Sequence, residues 1–219
     1  MQRAIGDLGN VGFFHVLAAN ARKYFAVNLH LAVGAIVGRG VDASHRSDND
    51  EEKNSKRTDE ISKLLFDTYK KNIRFPRDSS FQVNFSRPST YVVFDTAKNK
   101  KKTPFAKAVY EPTLMLALLN EKNVDLNSLS RMRKYFVESY FKSGTYEKYP
   151  NVLFDFQYRV LKAGHWDAYS HWILFKGDEA AGNQWVNANR AKWDNFTKWY
   201  LKNKLLLDKN YKFYSSQYD

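Results

Sequence analysis

The residue types best suited to chemistry gather in one short stretch, Gly164-His165-Trp166-Asp167-Ala168-Tyr169-Ser170-His171-Trp172. Asp167 and His171 are four residues apart, so a helix would carry both on one face. A carboxylate and an imidazole placed that way could share a proton as an acid/base pair or supply two metal ligands. Protein metal sites usually need three or more ligands, and no His-Glu-x-x-His spacing is present. No metal and no cofactor is therefore expected. His165, Asp167 and His171 remain the catalytic candidates, for a hydrolase-type reaction. The preferred reading of the same residues is structural: a helix-stabilising Asp–His contact among partly buried aromatic neighbours.

All five Trp lie between Trp166 and Trp199. Tryptophan serves both cores and binding hot spots. Because Trp185, Phe196, Trp199 and Tyr200 keep helical spacing, a core stripe is expected. Trp166 and Trp193 are the candidate ligand or partner contacts, Trp193 because it lies at the edge of that stripe. A second candidate surface is the run Lys98-Asn99-Lys100-Lys101-Lys102, in which Lys100, Lys101 and Lys102 could meet phosphates. No RNP, KH, zinc-finger or recognition-helix pattern accompanies it. A nucleic-acid binder is thus a lesser alternative, and an anionic membrane or cell-wall surface fits the same lysines. Gly177 and Gly182 have the glycine spacing of a phosphate loop, but Asn183 and Gln184 stand where Lys and Ser/Thr are required. Neither Gly-x-Gly-x-x-Gly nor Gly-x-Ser-x-Gly occurs.

The elements that must position these residues belong to a chain of 219 residues with 35 Lys+Arg against 23 Asp+Glu, a formal charge of +12. That length suits one compact domain with or without a tail. The charge speaks to association with acidic partners rather than to fold. With zero Cys, disulfide frameworks, thiolate metal sites, iron–sulfur clusters and thiol nucleophiles are excluded.

Arg22 and Lys23 precede 15 residues without formal charge, Tyr24 to Gly38. A basic cluster followed by an apolar run is the layout of a secretory signal. Cleavage is expected after Val41-Asp42-Ala43, or alternatively after Val33-Gly34-Ala35. The run Leu31 to Gly38 resembles the approach to a bacterial lipobox, but Arg39 stands where the lipidated Cys would be. Ser44 to Arg57 holds no apolar residue, which predicts a disordered polar linker over 44–57. The expected organisation is an N-terminal extension with a signal or anchor over 1–43, that linker, and one α-rich domain over 58–219.

Within the domain, Ile61, Leu64, Leu65, Thr68 and Tyr69 predict an amphipathic helix over 59–71 with Asp59 as its N-cap. Phe81, Val83 and Phe85 alternate with polar residues, and Tyr91-Val92-Val93-Phe94 is β-branched and aromatic. Together they predict a β-hairpin near residues 81–96, with Phe105 to Tyr110 as a third strand. Pro112 suits the first turn of a helix bearing Leu114, Met115, Leu118 and Leu119. Asp125 should cap the next, with Val124 and Leu129 as a hydrophobic staple, Leu129, Met132, Phe136 and Tyr140 inside, and Gly144 as its stop. Pro150 should open a helix of Leu153, Phe156 and Val160 that ends at Gly164. A shorter helix through Ala168 and Trp172 ends near Gly177. A last one reaches Asn203 with Trp185, Ala188, Phe196, Trp199 and Tyr200 on its apolar face.

Short turns between helices imply antiparallel helix hairpins. Ser143-Gly144-Thr145-Tyr146-Glu147-Lys148 and Gly164-His165-Trp166-Asp167-Ala168 resemble the inter-helix turn of tetratricopeptide repeats over about 40 residues. The two glycines lie 20 apart (164 minus 144) where that repeat has a period of about 34, so the resemblance is an analogy for hairpin packing. The fold class expected is mainly α with a small β-hairpin insertion. The functional expectation is an exported or membrane-tethered protein of the bacterial envelope (periplasmic, secreted or anchored), with a cytoplasmic location as the alternative. Its role would be helical binding or assembly, without catalysis, toward a protein partner or an anionic surface.

Overall fold

The computed structural model describes residues 48–77, 80–85, 105–203 and 205. The signal-like segment, the predicted strand 91–94 and the Lys98–Lys102 run lie outside the described residues. Helix α1 spans Asp48–Asn72 and runs directly into strand β1, Ile73–Arg77, which pairs with β2, Ser80–Val83. A π-helical turn, Ala106–Tyr110, leads into α2, Glu111–Ala117, and a 3-10 turn, Leu118–Asn120. Next come α3, Leu126–Lys142, the single turn α4, Thr145–Lys148, and α5, Val152–Lys162. Helix α6, Trp166–Leu174, continues into a 3-10 turn, Phe175–Gly177. Helices α7, Glu179–Ala188, and α8, Arg190–Lys202, follow. The described residues are thus mostly helical, with one small antiparallel hairpin.

Helix α1 begins ten residues before Thr58, within the 44–57 stretch. The stretch holds no apolar residue, but Glu, Lys and Arg are good helix formers, so helical backbone does not require an apolar face there. Asp59 consequently sits inside the helix instead of capping it, and its carboxylate reaches Lys176 at 3.1 Å. Leu65, Thr68 and Tyr69 of the expected face are buried, together with Ser62 and Phe66, and Ile61 packs against the core. Leu64 is 43% exposed, because the core reaches α1 on the Ser62 and Phe66 side of that face.

Among the described residues β2 pairs upstream, Ile73 opposite Val83 and Arg74 opposite Gln82, so the hairpin described spans 73–83. Its β2 is the strand expected at Phe81–Val83, and β1 is a partner the sequence reading did not name. Pro76 hides β1 from a strand reading, yet an edge strand tolerates it. Phe85 then turns inward, edge-on to Tyr69 and Tyr110 at 5.6 and 5.5 Å, while its N–H donates to Glu111 Oε1 at 2.8 Å. The segment 105–110 is helical, not a third strand. Its Glu111 N–H reaches back to the Ala106 carbonyl, and that wide i to i+5 turn lets both Phe105 and Tyr110 face the core.

Helix α3 lies at the centre, touching α2, α4, α5 and α6. Asp125 Oδ1 accepts the Ser128 N–H at 2.7 Å and Ser128 Oγ accepts the Asp125 N–H at 2.9 Å, a reciprocal capping box. Gly144 ends the helix at φ +71°, where L side chains are disfavoured. Asn151, one residue after Pro150, caps α5 by accepting the N–H groups of Leu153 and Phe154. Gly164, at φ +76°, closes α5 in a Schellman arrangement: the Gly164 N–H donates to Leu161 and the His165 N–H to Val160. In α2 and the 3-10 turn after it, Leu114 and Leu118 are fully buried, but Met115, Leu116 and Leu119 are 47%, 55% and 66% exposed. The long final helix is two helices. The break is at Asn189, whose backbone leaves the helical region at φ −127° and ψ 36° while its side-chain amide donates to the Trp185 carbonyl at 3.0 Å, and Ala188 is left exposed.

Candidate functional site

The Schellman turn at Gly164 sets the start of α6 and so the direction of every side chain in the His165–His171 cluster. His165 is partly exposed beside Trp199, ring centroids 5.3 Å apart, and burial holds its imidazole below the ordinary 6.5. Trp166 is 3% exposed, and its indole N–H donates to the Ser130 carbonyl at 2.9 Å. Asp167 turns outward, its carboxylate 3.9 Å from the Lys192 ammonium with both side chains more than half exposed.

His171 is 3% exposed and stacks on Trp185 at 4.2 Å and 14°. Its Nδ1 lies 2.8 Å from the Asp167 backbone carbonyl and its Nε2 lies 3.2 Å from Asn127 Oδ1. Helical spacing therefore brings His171 to the carbonyl of Asp167, while the Asp167 carboxylate points to α8. A general base needs a nitrogen within reach of substrate, and here both have protein partners. Burial holds the imidazole below 6.5, against the raising influence of the Asp167 carbonyl and the Asp167 and Asp125 charges. Among the described residues, no group of three or more His, Cys, Asp or Glu gathers as a metal site would require.

The tryptophans largely pack against other rings. Trp172 sits edge-on to Phe196 and Tyr200, and Trp199 is tilted beside Phe156. Trp193 is half-buried at the edge, 6.4 Å from Phe175.

Sequence reading missed the most unusual polar group of the core, Arg133. It is 2% exposed, donates from Nη1 to Ser170 Oγ at 2.9 Å, and lies 5.5 and 5.7 Å from the Trp166 and Tyr169 rings. Beside it the Tyr69 and Tyr110 hydroxyls share a 2.8 Å hydrogen bond, and Gln157 donates to the Tyr169 hydroxyl at 3.3 Å. Burial pushes the Tyr69 phenol up to about 12 and raises those of Tyr110 and Tyr169, so all three stay neutral at physiological pH. The signal was available. Arg133 is four residues after Leu129 and three before Phe136, in phase with the buried stripe of α3.

Among the described residues no helix is long and apolar enough to cross a membrane. Comparison with known proteins returns no matching family model, no matching curated protein and no matching solved structure.

Proposed function

We propose that this chain is an exported or membrane-tethered helical protein of the bacterial envelope whose role is binding or assembly rather than catalysis. The observation that carries the reading is the state of His171. It is buried, with both ring nitrogens directed at protein partners. His171 thus ties α6 to α3 and α7, while Asp167 and His165 face α8. Export is supported by the Arg22-Lys23 cluster and the apolar run that follows it. In this reading residues 58–219 form one domain whose helices pair as antiparallel hairpins, after the analogy with tetratricopeptide turns. Removal of 1–43 takes away 4 basic and 2 acidic residues, and the remaining 31 and 21 keep +10 on the mature chain. Such a charge favours acidic partners and anionic surfaces.

Cell fractionation combined with in-cell cross-linking tests the proposal. Recovery in the envelope fraction, cross-linked to a partner, is expected. Full-length protein found only in the cytosol, with no cross-linked species, would overturn it.

A further inference from the structure

An open groove of about 650 Å³ runs between α3 and α5. Its α3 wall carries Lys134, Glu138 and Lys142, spaced i, i+4, i+8 and therefore on one stripe. Lys162 lines the facing wall, and the floor is apolar, made by Phe141, Tyr158 and Leu161. Three ammonium groups and one carboxylate thus surround a small hydrophobic surface.

Among the described residues, those ammonium groups lack the carboxylate partners found elsewhere on the surface. Lys63 pairs with Asp67 at 3.1 Å and Arg190 with Asp194 at 3.2 Å, both across one helical turn. Glu138 precedes Lys142 in the order that favours an i, i+4 pair on a helix. Even so, among the described residues no ion pair engages Lys134, Lys142 or Lys162. No described carboxylate competes with an outside anion for them at ion-pair distance.

The aromatic rings narrow the choice of anion. Phe141 stacks on Tyr158 at 4.0 Å and on Tyr146 at 5.3 Å, and the Lys162 ammonium lies 5.1 Å from the Tyr158 ring centroid. Binding of single-stranded nucleic acid relies on rings that accept bases in stacks, and these are already stacked with one another. Glu138 also places a negative charge midway along the path a phosphate backbone would take. A peptide can alternate its charges to suit both signs. Lys134 and Lys142 are eight residues apart along a helix that rises about 1.5 Å per residue, hence about 12 Å. An extended peptide rises about 3.3 Å per residue and points alternate side chains to one face, so residues i and i+4 span about 13 Å on the same side.

We propose that this groove docks an extended acidic segment of a partner protein, with carboxylates four residues apart over Lys134 and Lys142 and an uncharged or basic residue between them facing Glu138. The proposal rests on the binding role argued above and names its site and ligand chemistry.

The test uses the full chain and two fluorescein-labelled peptides, one containing Glu-Ser-Leu-Ser-Glu and one containing Glu-Ser-Glu-Ser-Glu, in anisotropy titrations. The first should bind, more weakly as salt rises, and should lose about tenfold or more in affinity against the double variant Lys134→Glu, Lys142→Glu. The second should bind more weakly than the first to wild type, and Glu138→Gln should narrow that gap. Lys134, Glu138 and Lys142 are all exposed, so unchanged circular dichroism should accompany each variant. No binding, or equal affinity of wild type and double variant for the first peptide, would overturn the groove assignment. Tighter lysine-dependent binding of a dT12 oligonucleotide or of phosphatidylserine vesicles would overturn it as well. If the peptides fail while envelope recovery and cross-linking hold, the groove falls and the binding role stands. A cytosolic, uncross-linked protein removes the role whatever the peptides do.

Discussion

Replacing Gly177 with Ala should cost more than the same change at the other described glycines, Gly144, Gly164 and Gly182. Gly177 ends the 3-10 turn that docks on α1, where the Lys176 N–H donates to Ser62 Oγ at 3.0 Å. A Cβ at position 177 would fall 2.1 Å from Phe66 Cγ and 2.2 Å from Phe66 Cβ, well inside van der Waals contact. Phe66 is 4% exposed, and its Cβ is fixed to the α1 backbone, so rotating the ring cannot relieve the clash. Either α1 or the turn must move. Overpacking of this kind typically costs about 1–3 kcal/mol. For a domain of this size that is a fall in Tm of roughly 2–4 °C per kcal/mol. The positive-φ glycines are Gly144 and Gly164, so the effect at 177 is steric and not conformational. A double-mutant cycle with Phe66→Gly, which removes both Cγ and Cβ, isolates it in thermal melts at 222 nm. Phe66→Gly alone should cost about 3–5 kcal/mol through its cavity and about 1 kcal/mol more as a glycine inside a helix, and in that background Gly177→Ala should become nearly neutral. Should Gly177→Ala fall within about 0.5 kcal/mol of wild type, or cost the same in both backgrounds, the docking of the turn on α1 is refuted.

Three further outcomes are expected. Gly164→Ala should destabilise by about 1 kcal/mol through its left-handed backbone, since nothing lies within 4 Å of the added Cβ, while Gly164→Asn should cost less in the same melts. Asp125→Ala removes one half of the capping box on α3 and should cost about 1 kcal/mol in urea unfolding, with Asp125→Asn close to wild type. Burial holds His171 below its ordinary 6.5, so the folded chain binds fewer protons than the unfolded chain and stability rises with pH in that range. Its contribution is full above about pH 6.5 and is lost as pH falls below it, so the urea midpoint of wild type should drop more between pH 8 and 5.5 than that of His171→Gln.

What could be read in the sequence was what local chemistry determines. Asp125, Gly144 and Gly164 act within a few residues of themselves: Asp125 opens α3, and Gly144 and Gly164 stop α3 and α5, where their types predict. The phase of α3 was equally plain, because Leu129, Met132, Phe136 and Tyr140 repeat over three turns. Phase failed where the apolar pattern was broader than the face the core requires. Leu64, Met115 and Leu119 fit a helical stripe yet project outward, since burial depends on which neighbour arrives. The β1 partner of β2 was concealed by Pro76. The turn at 105–110 alternates small and large side chains like a strand but closes as a π turn. His171 and Asp167 share a helix as expected, yet only the fold decides that the imidazole meets a carbonyl and the carboxylate meets Lys192. The groove was not legible at all: nothing in the sequence singles out Lys134 and Lys142 until α5 brings Tyr158, Leu161 and Lys162 opposite them.

The most direct test of an exported binding protein is the intact mass of the native chain recovered from its own cells, fraction by fraction. The account predicts an envelope species lacking the basic and apolar N-terminal segment, with a mass that begins at Ser44, or at Ile36 for the earlier cleavage. A single cytosolic species whose mass begins at Met1 would contradict it.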